Sequence, residues 1–250
     1  MKEALKGNAS EGYRLHRMSN QNKLLSTLPE DDLEAILKGS ELVYLNPSQS
    51  LNTSGTAISF VYFPINCLIS LVHTVDGKSL EAGLIGNEGM LGTPVFLGAR
   101  QAACGANVEI GGKAYRIPIA VFLDLIKDSQ ALRALMNRYI LVVMERLTIA
   151  IGCHHFHSLE QRLAYLLLII EHGIRSNNIK ITQTLISNLL GVRRAGVSEA
   201  ASQLQAKTII QYTRGSIEIL DTEKLKKEAC SCYHDHQKSY HWIESLSPHL

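Results

Sequence analysis

The sequence predicts an α+β protein in which a β-rich domain, a long helix and a helix-turn-helix with a β-hairpin follow one another along the chain. Three observations support this fold class. Short apolar runs separated by turn signals fill residues 41–118, helical apolar spacing fills residues 119–151, and two short helices joined at a glycine fill Thr182 to Gln205. The predicted segments are residues 1–21 as a flexible arm, 22–127 as a jelly-roll sensor domain, 128–153 as a dimerisation helix, 154–232 as a winged helix-turn-helix domain and 233–250 as a tail.

The composition indicates a globular protein without a strong overall charge. Of 250 residues, 46% are hydrophobic and 19% are charged, and the formal net charge is only +2. Residues 180–228 carry eight lysines and arginines against five acidic residues. This mild local excess is compatible with DNA binding but does not demonstrate it, because many surfaces that bind no nucleic acid show as much.

No segment of the sequence predicts secretion or a membrane span. Residues 1–19 lack the apolar core of a secretory signal, and the longest apolar run, Leu163 to Ile170, is far shorter than the ~20 residues that a membrane helix needs. Five cysteines, odd in number and scattered in spacing, do not form a disulfide framework. We therefore expect a cytoplasmic protein in a reducing environment, with no membrane partner.

The N-terminal domain is predicted to begin with a helix and to continue with strands. Pro29, followed by three acidic residues, is a typical helix start, and Gly39 ends the helical pattern. Strand-like runs then cover residues 57–63, 67–74, 79–85, 108–110 and 114–117. Asp76-Gly77 lies between two of these runs and indicates a tight hairpin. Many short strands at this spacing predict an antiparallel sandwich or jelly roll.

The helix at residues 128–153 is predicted to be apolar on two faces. Asp128-Ser129 is a typical N-terminal cap, and Gly152 interrupts the pattern. One face follows a coiled-coil spacing that Arg146 interrupts. That face consists of Leu132, Leu135, Tyr139, Val142 and Ile149, and the second face consists of Met136, Ile140, Val143 and Leu147. A helix apolar on two faces needs two partners. One is its own β domain, and the other is the same helix of a second chain, unless the helix is buried in a single larger core.

The segment from Thr182 to Gln205 divides into two short amphipathic helices. Gly191 lies where the chain turns with a positive φ, which glycine adopts without steric cost, and Ser187 is small where the helices would cross. The apolar positions are Ile186, Leu189 and Leu190 on the first helix, and Val192, Val197, Ala201 and Leu204 on the second. Two helices joined in this way indicate either a helix-turn-helix, whose second helix enters the DNA major groove, or an ordinary helical hairpin in a core.

The outward face of the second helix carries side chains that suit nucleic acid. All of them can hydrogen-bond to phosphates or base edges. They are Arg193, Arg194, Ser198, Glu199 and Ser202. A helix from Leu159 to His172, begun by Ser158, is expected before this segment, and two strand-like runs around residues 213–215 predict a β-hairpin wing after it. Residues 222–232 look helical, whereas residues 233–250 show no clear period.

A jelly roll, a long central helix and a winged helix-turn-helix, in this order, resemble the cyclic-AMP receptor protein / fumarate–nitrate regulator (Crp/Fnr) family. The resemblance covers residues 22–232 and is most specific in residues 157–163 and in Thr182 to Arg214. Cys153 and His157 resemble the Cys-x-x-x-His of a subgroup of bacterial regulators. The resemblance implies a cytoplasmic transcriptional regulator that binds a palindromic site in double-stranded DNA as a homodimer and contacts RNA polymerase. Dimer symmetry would place the two recognition helices about 34 Å apart, in successive major grooves.

The resemblance assigns DNA contacts to individual residues. Base-contacting positions of the family fall on Arg194, Ala195 and Glu199, where the best-known member has Arg-Glu-x-x-x-Arg. Arg194 can pair with guanine and Glu199 can accept from cytosine N4, so that member's operator is not expected here. The expected phosphate contacts are Thr182, Gln183, Arg193 and Arg214, of which Arg193 can also contact a base. Gly196 costs ~1 kcal/mol relative to alanine inside a helix, and it either allows close approach to DNA or is simply tolerated.

The predicted cyclic-nucleotide-binding-like domain departs from the nucleotide cassette of the family. That cassette has Gly-Glu early and Arg-Ser/Thr-Ala late, with the arginine on the cyclic phosphate. Here Glu88 belongs to Gly86-Asn-Glu-Gly89 in a different frame, and Arg100 is followed by Gln-Ala-Ala. We therefore expect no tight cyclic-nucleotide binding, and the effector is either an unknown small molecule or absent. The N-terminal cysteine cluster of iron–sulfur members is also not found, since the first cysteine is Cys67.

The sequence does not favour an enzyme, because it contains no P-loop, GxSxG, HExxH or strand-to-helix GxGxxG motif. The remaining alternative is a regulatory or scaffold protein that uses the same sensor fold without binding DNA. Such a protein would not need Arg193, Arg194 and a wing.

Two groups of cysteines and histidines contain residue types that bind zinc. They are Cys153, His154, His155 and His157, and, near the C-terminus, Cys230, Cys232, His234, His236 and His241. In the first group we expect Cys153 to pack in the interior and His157 to cap the next helix. The second group is a candidate for metal or redox chemistry, unless its thiols are incidental in a flexible tail. Neither a metal nor a cofactor is predicted. Cys67 and Cys104 are expected to be buried packing residues.

Overall fold

The structure, a computed structural model, describes residues 22–245. The flexible arm predicted at residues 1–21 lies outside the described residues. A 3-10 turn at Leu25–Thr27 leads to helix α1, Glu30–Lys38, which follows Pro29 and has three acidic residues in its first turn. Gly39 ends the helix, as the sequence predicts.

The β domain contains seven strands arranged in two antiparallel sheets. One sheet has the order β1-β7-β3 and the other has the order β2-β6-β4-β5. The strands are β1 Glu41–Leu45, β2 Ser50–Asn52, β3 Phe60–Pro64, β4 Leu68–Val75, β5 Lys78–Ile85, β6 Gly105–Ile110 and β7 Gly112–Pro118. A short helix, α2, Thr93–Phe96, lies between β5 and β6. This arrangement confirms the predicted fold class.

The predicted hairpin at Asp76-Gly77 joins β4 to β5. Both turn residues have positive φ, 50° and 72°, which is the geometry of a two-residue turn that matches the twist of the strands. Asp and Gly tolerate this region of φ, so the local sequence alone determines the turn.

Two helices follow the β domain. They are α3, Ile119–Asp128, and α4, Gln130–Phe156. Ser129 caps α4 through a hydrogen bond that its side chain accepts from the backbone nitrogen of Leu132, 2.9 Å away. The prediction that the helix ends near Gly152 is wrong, because α4 continues for a further turn. Gly152 itself makes no close contact, since a Cβ built on it would meet no atom within 4 Å. The next residue, Cys153, is buried, and its packing stabilises the last turn of the helix.

The structure corrects the predicted faces of α4. Most of the first predicted face and Met136 of the second form one wide stripe against the chain's own β domain, because positions three and four apart lie on one side of a helix. This buried stripe contains Leu132, Leu135, Met136, Tyr139 and Val142. The exposed apolar side chains are Leu141, Met144, Leu147 and Ile151. Of these, only Leu147 belongs to a predicted apolar face.

The C-terminal part of the chain forms a second hydrophobic core. Its elements are α5 Leu159–Ile174, β8 Asn178–Ile179, α6 Gln183–Leu190, α7 Arg194–Ala206, β9 Ile210–Thr213, β10 Ser216–Ile219 and α8 Thr222–Glu228. The three strands form a small sheet in the order β8-β10-β9. Among residues 22–245, no helix is both long and apolar enough to span a lipid bilayer.

The prediction of an aperiodic tail after residue 232 is wrong as far as the structure describes it. Helix α9, Cys232–Ser245, packs against α4 and α5. Its buried stripe contains Cys232, His236, Ser239 and Tyr240. Ser239 donates from its hydroxyl to a carboxylate oxygen of Glu145 on α4, 2.6 Å away. The stripe escapes hydropathy patterns because half of its side chains are polar.

Candidate nucleic-acid interface

The turn between α6 and α7 has the geometry predicted for it. Thr182 begins α6 by accepting a hydrogen bond from the backbone nitrogen of Leu185, 3.2 Å from its hydroxyl. Gly191 ends α6 with φ +63°, and the backbone nitrogen of Val192 then donates to the carbonyl oxygen of Ser187 at 3.0 Å. The turn therefore satisfies the free carbonyls at the helix end through a left-handed glycine.

The two helices pack through the apolar positions that the sequence indicates. Ser187 is buried where the helices approach, and its hydroxyl donates to the carbonyl oxygen of Thr184 at 2.8 Å. The buried side chains are Ile186 and Leu190 on α6, and Val197, Ala200, Ala201 and Leu204 on α7. Leu189 and Val192 are half-buried. This packing fixes the angle between α6 and α7 and leaves one face of α7 open.

The open face carries the predicted DNA-binding residues. Arg194, Ala195, Ser198 and Glu199 of α7 are exposed, and so is Arg193, the residue just before the helix. Thr182 is also exposed, at the start of α6. Gln183 is half-buried, and its amide donates to the hydroxyl of Ser198 at 3.2 Å, which links the beginnings of the two helices. One surface thus displays two guanidinium groups, hydroxyl groups and a carboxylate.

The β-hairpin wing lies beside α7 and is attached to it. Gln205 accepts at its side-chain oxygen from the backbone nitrogen of Tyr212 on β9, 2.8 Å away. The wing turns at Arg214-Gly215, where Gly215 has φ +83° and Arg214 is exposed. The predicted wing is confirmed, and its tip presents a third arginine.

Lys207, directly after α7, joins three elements of the domain. Its ammonium group lies 2.7 Å from a carboxylate oxygen of Glu160 on α5 and 2.7 Å from one of Glu228 on α8. Such exposed pairs contribute little to stability individually, but they fix the end of α7 relative to its neighbours.

A buried arginine within the family-like segment 157–163, for which the sequence predicted no role, connects α5 to both α6 and α4. Arg162 is only 8% exposed. Its guanidinium donates to the carbonyl oxygen of Leu190, at the end of α6, and lies 2.6 Å from Nδ1 of His154 near the end of α4. Burial, followed by the charge of Arg162, lowers the pKa of His154, which favours the neutral imidazole that can accept this bond. The Glu-Gln-Arg sequence at the start of α5 is the only signal that could have indicated it.

Gly196 lies next to a side chain of α5. A Cβ at this position would lie 2.9 Å from Cδ2 of Leu159 on α5. This atom is the end of a flexible side chain, so a small shift of Leu159 would accommodate a methyl group at the cost of slightly changed packing between α7 and α5.

A cavity of about 510 Å³ lies between the β domain, α4 and the C-terminal domain. Its lining is mainly apolar, and α4 contributes Ile140, Val143, Met144 and Leu147. Arg100 is exposed on the surface, where its guanidinium donates to the carbonyl oxygen of Ala99 at 3.2 Å. Among the described residues, the arginines that line the cavity are therefore Arg146 and Arg162.

Arg146 contacts protein groups on two sides, but its Nε and Nη2 atoms are buried without a hydrogen-bond partner among the described residues. Its guanidinium stacks 4.3 Å from the ring centre of Tyr240 and lies 3.7 Å from a carboxylate oxygen of Glu88. Glu88 is only 3% exposed and also accepts from the backbone nitrogen of Gly86 at 3.3 Å. The Gly-Asn-Glu-Gly segment thus forms contacts between parts of the protein.

The two groups of cysteines and histidines meet in the structure, although the sequence suggested two separate groups. Cys153, Cys230 and Cys232 are buried, and His157 is half-buried beside them. The expectation that His157 caps the next helix is wrong. Ser158 caps α5 instead, accepting from the backbone nitrogen of Gln161 at 3.3 Å.

The other two cysteines behave differently from each other. Cys67 is fully buried as predicted, and burial raises the pKa of its thiol to about 12. Cys104 is only half-buried and lines the cavity, so its prediction as a buried packing residue is wrong.

Comparison with known proteins agrees with this geometry. A family model described as a Crp-like helix-turn-helix domain matches residues 161–228. No curated protein is similar enough in sequence to match the chain.

Solved structures resemble the chain over most of its length. FixK2 from Bradyrhizobium japonicum has 14% sequence identity and a TM-score of 0.63, and the match covers 76% of this chain and 98% of that one. A CRP-family transcriptional regulator from Thermus thermophilus has 16% identity and a TM-score of 0.62, with 75% and 96% covered. The c-di-GMP-responsive global regulator CLP from Xanthomonas campestris has 13% identity and a TM-score of 0.60, with 76% and 99% covered.

The fold and this surface define a winged helix-turn-helix protein whose DNA-binding fold is joined by a long helix to a β-rich domain. The chain carries a Crp-like helix-turn-helix domain and has the fold of the Crp/Fnr-family transcriptional regulators. The resemblance predicted from the sequence is thereby confirmed.

Proposed function

We propose that this protein is a cytoplasmic transcriptional regulator that binds a palindromic site in double-stranded DNA as a homodimer. The observation that carries the proposal is the open face of α7. Arg193 and Arg194 lie at the helix start, where they can enter the major groove, and Arg214 extends the same surface at the wing tip. A scaffold protein that does not bind DNA has no use for three exposed arginines on a recognition helix and wing.

The exposed side chains of α7 and its neighbours can each make a specific kind of contact with DNA. Arg194 can donate two hydrogen bonds to O6 and N7 of guanine, and Glu199, more than one turn later on α7, can accept from cytosine N4. Ala195 leaves space between them for the base pairs or for a thymine methyl group. The predicted phosphate contacts are Thr182, Gln183 and Arg214, whereas Arg193 and Ser198 can contact either phosphates or base edges. The bond between Gln183 and Ser198 orients both groups before DNA arrives.

The exposed apolar side of α4 supports the homodimer. Leu141, Met144, Thr148 and Ile151 follow one another at spacings of three, four and three residues, which is the spacing of a coiled-coil seam. The exposed fractions of Met144 and Ile151 are 60% and 73%, large for apolar side chains in the middle of a helix. A second copy of α4 is the occupant that fits, because a seam along one helix can pair with itself about a two-fold axis.

The cavity beside α4 is where an effector would act on this dimer. Its lining is mainly apolar, Arg162 is hydrogen-bonded to Leu190 and lies beside His154, and Arg146 faces the carboxylate of Glu88. A small apolar effector suits this lining better than a cyclic nucleotide, whose phosphate needs a free positive charge. DNA-bound dimers of this fold would then contact RNA polymerase.

Selection of bound fragments from random double-stranded DNA by the purified protein tests the proposal. We expect an inverted repeat whose half-site centres are about 34 Å apart, which corresponds to one helical turn. The Arg194→Ala variant should lose about 1–3 kcal/mol of binding free energy per half-site and no longer distinguish the base at one position of each half-site. Retention of full specificity by that variant, or the absence of any enriched sequence, would favour the scaffold protein.

The Arg214→Ala variant is the matched control. It also removes one exposed arginine, but from a predicted phosphate contact. We expect weaker binding to all sequences alike and a salt dependence whose slope falls by about two, because the dimer loses one phosphate contact in each half-site.

A further inference from the structure

Four metal-binding side chains come together where the long helix meets the C-terminal end of the described chain. Cys153 lies in the last turn of α4, and His157 is the residue that ends that helix. Cys230 and Cys232 lie after α8, and Cys232 is the first residue of α9. The fold thus brings a Cys-x-x-x-His segment and a Cys-x-Cys segment together across 77 residues of chain.

The distances between these groups match a tetrahedral metal centre. The sulfur atoms of Cys153 and Cys230 are 3.6 Å apart, and the sulfur of Cys232 lies 3.5 Å from Nδ1 of His157. All four ligand atoms lie within 4.8 Å of one another. Zinc bonds of about 2.3 Å to sulfur and about 2.0–2.1 Å to nitrogen place neighbouring tetrahedral ligands roughly 3.5–3.8 Å apart, so small side-chain adjustments complete the geometry.

We propose that Cys153, His157, Cys230 and Cys232 bind one zinc ion per chain in a closed structural site. Three sulfur ligands and one imidazole are a set typical of structural zinc, and thiolate ligands disfavour harder cations such as magnesium. Four protein ligands leave no position for water or substrate, so the site has no catalytic role. On binding, the zinc ion replaces the thiol protons of the three cysteines, which are released to solvent.

The site would fasten the C-terminal domain at both of its ends. Its first two ligands precede α5, and its last two follow α8, so the whole winged helix-turn-helix lies between them in sequence. Ile149 and Tyr165 pack around the three sulfurs and keep them away from water. The metal would therefore fix the winged helix-turn-helix on the end of the helix that we assign to the dimer interface. The metal site stands independently of DNA binding and can be tested without DNA.

A disulfide bond is the competing use of these thiols. Cys153 and Cys230 are close enough to reach the ~2.05 Å of a sulfur–sulfur bond by a small movement. That bond would remove two of the four ligands and leave Cys232 and His157 without a function. The nearness of all four groups, rather than of one pair, favours the metal.

Elemental analysis and X-ray absorption of the full chain, purified without a histidine tag under reducing conditions, test the site. We expect one zinc ion per chain and an absorption fine structure that requires three sulfur ligands and one nitrogen ligand. Protein produced with ample zinc that contains none, or that contains a bond between Cys153 and Cys230 by mass spectrometry, would overturn the proposal.

Variants show whether these residues are the ligands. Exchange of the metal for Co²⁺ should give the visible bands of a tetrahedral thiolate complex, and we expect Cys230→Ser and His157→Ala to lose or shift them. The matched controls Cys104→Ser and His155→Ala, which change a cysteine and a histidine outside the group, should retain both the bands and the zinc. Unchanged bands in Cys230→Ser would contradict the assignment, and the wild-type spectrum remains decisive if a variant does not fold.

Discussion

Gly86 of the β domain lies against Gly173 of α5 with no room for a side chain between them. A Cβ built on Gly86 would lie 2.6 Å from the Cα of Gly173, well inside any real contact. The backbone nitrogen of the next residue, Asn87, donates to the carbonyl oxygen of Gly173 at 3.2 Å. Two glycines thus let the backbone of the β domain touch the backbone of the C-terminal domain.

The Gly86→Ala variant should loosen this contact. The added methyl group meets backbone that cannot turn away, so we expect the free energy of unfolding to fall by about 1–3 kcal/mol. Urea unfolding followed by circular dichroism measures the change. The Gly83→Ala variant is the control, because its Cβ would meet only Leu71 at 4.0 Å. Equal stability of the two variants would show that the domains do not depend on this approach.

Arg162 provides a second test of how the C-terminal domain is held. The Arg162→Met variant keeps most of the side-chain volume but removes the donor to the carbonyl oxygen of Leu190. We expect a loss of about 1.5–3 kcal/mol in the free energy of unfolding, typical of a hydrogen bond to a charged group.

The Arg193→Met variant separates stability from DNA binding in that experiment. Arg193 is exposed and lies at the start of α7. We expect this control to unfold at the same urea concentration as the wild type while binding DNA more weakly. If both variants unfold alike, Arg162 does not stabilise the end of α6.

The sequence predicts the features of this protein that depend on local conformation. Asp76-Gly77 and Gly191 were found because only a few residue types accept positive φ, and that requirement is visible in a short segment. The exposed face of α7 was found because helical periodicity separates Val197 and Leu204 from Arg194 and Glu199.

Features that depend on contacts between distant segments were missed. The approach of Gly86 to Gly173 and the meeting of Cys153 with Cys230 arise from the tertiary fold, and no local pattern encodes them. Helix α9 was missed for a different reason. Cys232, His236 and Ser239 form its buried stripe, and hydropathy does not mark His or Ser as interior residues.

Isothermal calorimetry with cyclic AMP tests the character of the cavity. We expect no binding with a dissociation constant in the micromolar range or below. Arg100 points away to the carbonyl oxygen of Ala99, and Arg146 is shared between Glu88 and the ring of Tyr240. A cyclic phosphate would have to compete with the Glu88 carboxylate and the Tyr240 ring for Arg146. Micromolar binding would mean that one of these arginines is released, and it would contradict our account of the cavity.

The seam on α4 gives the sharpest prediction about assembly. Replacing Met144 or Ile151 by glutamate places two carboxylates opposite each other if α4 pairs in parallel with its own copy, because a parallel coiled-coil seam brings each seam residue near its equivalent. We expect Met144→Glu to convert a dimer into a monomer in sedimentation experiments and to weaken binding to a palindromic site, since the two recognition helices then bind independently. Leu42→Glu is the matched control, because Leu42 is also exposed, at 48%, but lies on β1 away from the seam. A Met144→Glu protein that remains dimeric would show that a different surface forms the dimer.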